Sequence, residues 1–210
     1  MRLYINMTKE SNSEQPSKYD EAVVNKYKKF VGKKELKNLN SVFTSKKFAG
    51  KWKQVMCSPS TSVLGSGPNY SSVQATYKLK KDGLVSVRND AYDNDFNRVS
   101  ITGTSRSRDE NVPTCRTVKF NNLFDIEGDY WLVYATPSFK TVIVSAPIMV
   151  RIFNRPLVIT NNFGFYVLTR NIKEFWNSSE EYENTFNALE KYGFNKFWNK
   201  PVVTADAFEL

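Results

Sequence analysis

The chain has 210 residues, 40% of them hydrophobic, 14% aromatic and 24% charged, with a formal net charge of +9. That suffices for one well-buried core with appendages, not for two large domains. No stretch approaches 18 consecutive apolar residues, which excludes a membrane-spanning helix, and the absence of histidine excludes Ser-His-Asp and Cys-His catalysis, His-ligated haem and any zinc site containing His.

The first residues, Met1-Arg2-Leu3-Tyr4-Ile5-Asn6, have neither an apolar run nor a small-residue cleavage site. The expectation is therefore an intracellular protein, or one held within a virus particle or other assembly. Residues 1–16 are polar and read as disordered. From Ser17 to Lys53 there are eleven lysines against the three acids Asp20, Glu21 and Glu35. Residues 54–210 carry 17 basic and 16 acidic side chains, so a nearly neutral body bears a basic N-terminal extension, 1–47. Within it, Tyr19, Val23, Tyr27, Phe30 and Val31 recur at spacings of three and four, an amphipathic helix with Lys26, Lys28, Lys29, Lys33 and Lys34 on its other side. Gly32 weakens that helix. Two readings stand: a helix packed by its apolar stripe on the body, or an anchor for an anionic surface or protein partner through 17–53. No motif for sequence-specific nucleic-acid binding is present.

After Phe48, alternating runs separated by turn residues predict an all-β, eight-stranded antiparallel barrel, with strands at 51–56, 73–79, 84–88, 98–106, 116–120, 130–135, 141–146 and 164–170. Lys81-Asp82-Gly83 between two of them is the strongest hairpin signal. Residues 58–68 read as a Gly/Pro/Ser loop. Residues 179–193 predict a helix with Tyr182, Phe186 and Leu189 on one stripe and Gly193 as its cap; 202–210 is a tail. Cys57 and Cys115 are too few for a disulfide scaffold and do not complete a zinc site, so neither metal nor cofactor is expected.

Gly50-Lys51-Trp52 opening the first strand resembles the Gly-x-Trp motif of the lipocalins, and Leu168-Thr169-Arg170 closing the last resembles that family's terminal Arg motif. The runs 73–79 and 128–133, and Tyr192-Gly193-Phe194, resemble the bacterial outer-membrane and apolipoprotein D-like branch. The likeness spans 48–201. It implies an up-and-down barrel closed at one end, with a C-terminal helix, enclosing a pocket for an apolar small molecule or lipid. At the closed end Arg170 would stack on Trp52 beside Gly50, a structural role. Two departures stand out. Ala135-Thr136-Pro137-Ser138-Phe139 replaces the family's Thr-Asp-Tyr turn, without the Asp and with Phe for Tyr. Residues 148–162 add a hairpin, expected at the open mouth as a lid or a protein contact.

Alternation anchored on Trp52 and Arg170 points Gln54 and Met56 inward, with Val73, Ala75, Tyr77, Leu79, Val85, Val87, Tyr130, Leu132, Tyr134, Tyr166 and Leu168. The candidate ligand-binding set is Met56, Ala75, Tyr77, Val85, Val87, Tyr130, Leu132, Tyr134, Tyr166 and Leu168. These residues would equally serve to fill the barrel. Cys57, following Met56, would point outward with no neighbour to activate it, and catalysis is not expected. The leading function is a carrier of a fatty acid or lysolipid. The alternative is an accessory subunit of a virus particle or organellar complex, using the barrel as scaffold and the basic arm as anchor.

Overall fold

The computed structural model describes residues 17–59, 67–121, 127–147, 149–152, 155–158 and 164–204. The expectations for residues 1–16, for most of the 58–68 loop and for the end of the tail lie outside them.

Three helices precede the barrel: α1 (Lys18–Val31), α2 (Lys33–Val42) and α3 (Ser45–Phe48). Ser17 caps α1, its hydroxyl accepting from the Asp20 amide at 3.1 Å. The single predicted helix is broken at Gly32, whose φ of +86° ends α1 and starts α2 in a new direction. The strands follow: β1 (Gly50–Cys57), β2 (Ser71–Leu79), β3 (Val85–Tyr92), β4 (Arg98–Ser107), β5 (Cys115–Phe120), β6 (Glu127–Ala135), β7 (Thr141–Ala146), β8 (Met149–Ile152), β9 (Arg155–Val158) and β10 (Gly164–Thr169). Then come α4 (Ile172–Asn177), α5 (Ser179–Lys191), a 3₁₀ turn at Phe197–Asn199 and β11 (Val202–Val203).

Strands β1 to β7 and β10 pair antiparallel in that order, and β10 returns to β1, closing an eight-stranded up-and-down barrel. Closure pairs both edges. Strand β11, in what reads from sequence as a tail, takes up the part of the β1 edge that β2 leaves, pairing at Met56 and Cys57. The inserted hairpin is β8 with β9, a separate two-stranded sheet between β7 and β10 at the open end, its second strand alongside α1.

Helix α1 shares the barrel's core. Val23, Val24, Tyr27 and Val31 are buried on the outer face of β5 and β6 beside Cys115 and Trp131. The Tyr27 ring meets Trp131 edge-on at 5.6 Å, and its hydroxyl donates to the Leu132 carbonyl at 2.8 Å. Phe30 stacks on Tyr192 and packs on Phe194, tying the N-terminal helix to the C-terminal one. The reading of the stripe as a packing face thus holds, with Lys28, Lys29, Lys33, Lys34 and Lys37 left exposed. Helix α5 ends at Lys191, with Gly193 following in the left-handed region.

A buried ion cluster also pins α1 to the barrel. The Arg108 guanidinium, whose side chain is 4% exposed, bonds Asp129 of β6 through Nε at 2.7 Å and Asp20 of α1 through Nη1. Burial opposes ionisation of Asp20, yet the bonds from Ser17 and Arg108 and the charges of Arg106 and Arg108 outweigh it and hold its carboxyl below the ordinary range. A lowered folded pKa contributes stability that is present above the unfolded value and is lost as pH falls through the folded one. Asp129 runs the other way: burial outweighs Arg108 and raises its pKa, so taking up a proton early does not loosen the fold. Helix α1 is therefore expected to stay docked as the pH is lowered to about 4 and to release only below that. Amide exchange over residues 18–31 against pH checks this, and release already near pH 5 would contradict it.

Candidate functional site

The closed end is built where the chain enters β1. The Arg170 guanidinium lies 3.7 Å from the Trp52 ring centroid, and its Nη1 donates to the Lys51 carbonyl at 2.7 Å and its Nη2 to the Ala49 carbonyl at 2.9 Å. Burial lowers the Arg170 pKa, which still leaves the group a cation. Trp52 Nε1 donates to the Phe48 carbonyl at 2.8 Å, and Phe48 and Phe139 pack on the indole. Gly50 has φ +102°, and a Cβ there would lie 3.0 Å from Arg170 Nη1. Gly50→Ala should therefore both strain the backbone and push the guanidinium, costing on the order of 2 kcal/mol; a thermal melt within 1 °C of the parent would argue against this reading.

The turn lacking Asp is satisfied by other means. Thr136 Oγ1 accepts from the Thr141 amide at 3.1 Å and the Lys140 amide at 3.3 Å, and Phe139 turns in at φ +56° to pack on Trp52 and Phe43. A threonine hydroxyl replaces the carboxylate as acceptor, and Phe139 is held by ring contacts.

Above this plug lies a cavity of about 180 Å³ in the open half of the barrel. Its walls are mostly apolar, from Val73, Ala75, Val118, Phe120, Ala146 and Leu168, with Gln54, Asn89, Tyr77, Tyr130 and Tyr166 as polar points. Register explains the set, because residues directly opposite in antiparallel strands share a face. Trp52 stands across from Ala75, Gln54 from Leu168, Tyr166 from Val144 and Leu132 from Val144.

The family model for a lipocalin-like domain matches residues 43–154, just over half of the chain. The chain belongs to the lipocalin family. Among curated relatives of this lipocalin is temperature-induced lipocalin-1 of Arabidopsis thaliana, 26% identical over 107 residues, covering 48% of this chain and 55% of that protein. The chain thus spans about half the length of that relative. Among solved structures, apocrustacyanin C2 superposes with a TM-score of 0.59 at 12% identity, over 83% of this chain and 85% of the other. Lobster apocrustacyanin A1 gives 0.57 at 11% identity, over 82% and 83%. The cockroach allergen Per a 4 gives 0.52 at 14% identity, over 78% and 88%. At these identities the structural likeness establishes the fold.

Of the candidate set, this lipocalin brings Ala75, Tyr77, Tyr130, Tyr166 and Leu168 to the cavity wall. Val85, Val87 and Leu132 lie on the inner face but below the cavity, in the packed lower core, while Leu79, past the end of the barrel wall, is 48% exposed. Met56 and Tyr134 are corrections. A bulge between Gln54 and Met56 inverts the end of β1, so Met56 pairs with outward Val167 and Cys57 with inward Tyr166. A second bulge between Leu132 and Tyr134 turns Tyr134 out, into a groove between α2 and α5 beside Leu39 and Ala188. The expectation of an outward Cys57 is reversed by the same extra residue. Cys57 and Cys115 are both buried thiols without a disulfide, on opposite faces of the sheet, and burial pushes the Cys115 thiol up.

Two polar residues of the inner face escape a reading that picks apolar ones. Asn89 stands across from Ala75, 9% exposed, its Oδ1 without a hydrogen bond among the described residues. Arg116 stands across from Tyr130, 3% exposed, with Nε donating to Ser105 Oγ at 2.9 Å. A signal existed: Arg116 and Val118 share the parity of Phe120.

Proposed function

We propose that this lipocalin is a non-enzymatic binding protein that holds a single-chain lipid, of the fatty acid or lysolipid class, in its barrel. The observation carrying this reading is the cavity, apolar along most of its wall with a few polar side chains at defined points, the usual make-up of a small-molecule site. Its roughly 180 Å³ favours a slender ligand over a bulky one, since drug-sized sites run from about 300 Å³ upward. Burying eight methylenes supplies about 6 kcal/mol at ~0.8 each. Micromolar affinity needs about 8 kcal/mol after association and ordering losses of several kcal/mol, so chain burial alone falls short and polar contacts must supply the remainder. The Asp129 carboxylate is turned outward to Arg108, away from the cavity.

Native mass spectrometry of the purified chain, with extraction and identification of bound material, tests the reading, followed by titration of the delipidated protein with fatty acids and lysolipids. A stoichiometric lipid or a saturable isotherm is expected. A folded, clean protein that binds none of them overturns it.

A further inference from the structure

The lower boundary of the cavity is chemically unlike its walls. Tyr77 and Tyr130 reach it from β2 and β6, and their hydroxyls bond each other at 2.5 Å. Two hydroxyls carry two protons, and their mutual bond uses one. Among the described residues neither oxygen has another partner, so one O–H remains a donor without an acceptor. Burial raises the pKa of both phenols, Tyr130 well above the ordinary value, so both protons stay on.

Beneath the pair is a cation with no counter-charge among the described residues. Arg116 donates from Nε to Ser105 Oγ at 2.9 Å, from Nη2 to the Ser105 carbonyl at 3.2 Å and from Nη1 to the Pro113 carbonyl at 3.3 Å. Among the described residues no carboxylate pairs with it. The contrast within the same molecule is sharp, because buried Arg108 is flanked by two carboxylates. An unpaired buried charge is costly, and its field falls on whatever enters next to it. Burial lowers the Arg116 pKa to about 10, against the opposing influence of the neighbouring Tyr77 and Tyr130, which leaves it protonated. Since the tyrosines line the cavity and Arg116 does not, the guanidinium acts through them.

A third group completes the set. Asn89 stands one pair above Tyr77 on the neighbouring strand, nine-tenths buried, its Oδ1 unsatisfied at the cavity wall. Half a turn of χ2 exchanges that oxygen for Nδ2, a donor. The boundary therefore offers a tyrosine O–H, an adaptable amide and a positive field, while Val73, Val118, Phe120 and Ala146 line the way up to the mouth.

We infer that the ligand enters head first and is a monocarboxylate: its carboxylate accepts the spare Tyr77/Tyr130 proton and supplies the anion that Arg116 lacks, with the alkyl chain rising toward the open end. This rests on the barrel being a lipid-binding site, and narrows fatty acid or lysolipid to the first. A phosphocholine headgroup carries a cation of its own, which the positive field of Arg116 disfavours.

Delipidated full-length chain titrated calorimetrically with dodecanoate, methyl dodecanoate and lysophosphatidylcholine tests it. Dodecanoate is expected to bind at least ten-fold more tightly than its methyl ester, which keeps the chain and removes the charge. In Arg116→Met, and separately in the Tyr77→Phe/Tyr130→Phe double variant, the acid should fall to within three-fold of the ester while the ester's own affinity holds. The phenylalanine variant preserves shape and decides the matter if Arg116→Met does not fold. Equal binding of acid and ester by the parent chain, or a preference for the lysolipid, overturns the head-first carboxylate while leaving a lipid carrier standing. Failure of all three probes to bind removes both readings.

Discussion

Arg108→Ala is expected to cost about 3–5 kcal/mol, because it strands two buried carboxylates rather than merely deleting an ion pair. Asp20 and Asp129 converge on one guanidinium, with side chains 12% and 3% exposed, and without it neither has a compensating cation of comparable burial. Arg106, 3.7 Å from Asp20 and 42% exposed, is too solvated to substitute. For a chain of this length the melting temperature should fall by on the order of 10 °C. The loss should be concentrated at α1, since Asp20 is that helix's ionic tie to β6. The triple variant Arg108→Met/Asp20→Asn/Asp129→Asn, which removes all the charges together, should recover most of the stability. A single variant melting within 2 °C of the parent would show that the cluster is solvated and carries nothing.

The second large effect belongs to the closed end. Arg170→Ala removes hydrogen bonds to the Ala49 and Lys51 carbonyls and the guanidinium's contact with the Trp52 ring. A charged hydrogen bond is worth about 1.5–3 kcal/mol and a cation–π contact about 0.5–2. A loss of roughly 2–4 kcal/mol follows, discounted because the side chain retains some access to water. Ligand affinity should change by less than two-fold, since Arg170 lies below the packed plug and not on the cavity wall. A melt unchanged within error alongside lost binding would reverse the assignment and make Arg170 a ligand residue. Together the two variants separate the tie that holds the N-terminal helix from the one that closes the barrel.

Much of this molecule was legible as periodicity. The Asp82-Gly83 turn between alternating runs marks the β2–β3 hairpin, and the three-and-four spacing of Val23, Tyr27 and Val31 marks the buried face of α1. Periodicity does not bring Gly50, Trp52 and Arg170 together; their likeness to the lipocalin end motifs is what implied the closed end. Alternation also placed Ala75, Tyr77, Tyr130, Tyr166 and Leu168 on the cavity wall, because along those stretches the pleat is unbroken. Helix α2 does not stand out in the sequence although Leu36 and Leu39 carry its spacing, because two helices parted by a single glycine read as one lysine-rich run.

What sequence alone determined, then, is local: which segments are strands and helices, which face of each is apolar, and that the strands are too many and too evenly spaced to leave an edge unpaired. What only the tertiary structure decided is relational. A bulge inserts one residue without any compositional mark, and past Gln54 and past Leu132 it exchanged the faces of Met56, Cys57 and Tyr134. Partners distant in the chain, such as Arg108 with Asp20 and Asp129, or Tyr77 with Tyr130, meet only because closure sets the registers. The unpaired Arg116 and Asn89 belong to the same class. An alternation rule built on burying apolar side chains selects against seeing a polar one inside; the cavity lies beside Asn89, and Ser105 and the Pro113 carbonyl take the donors of Arg116.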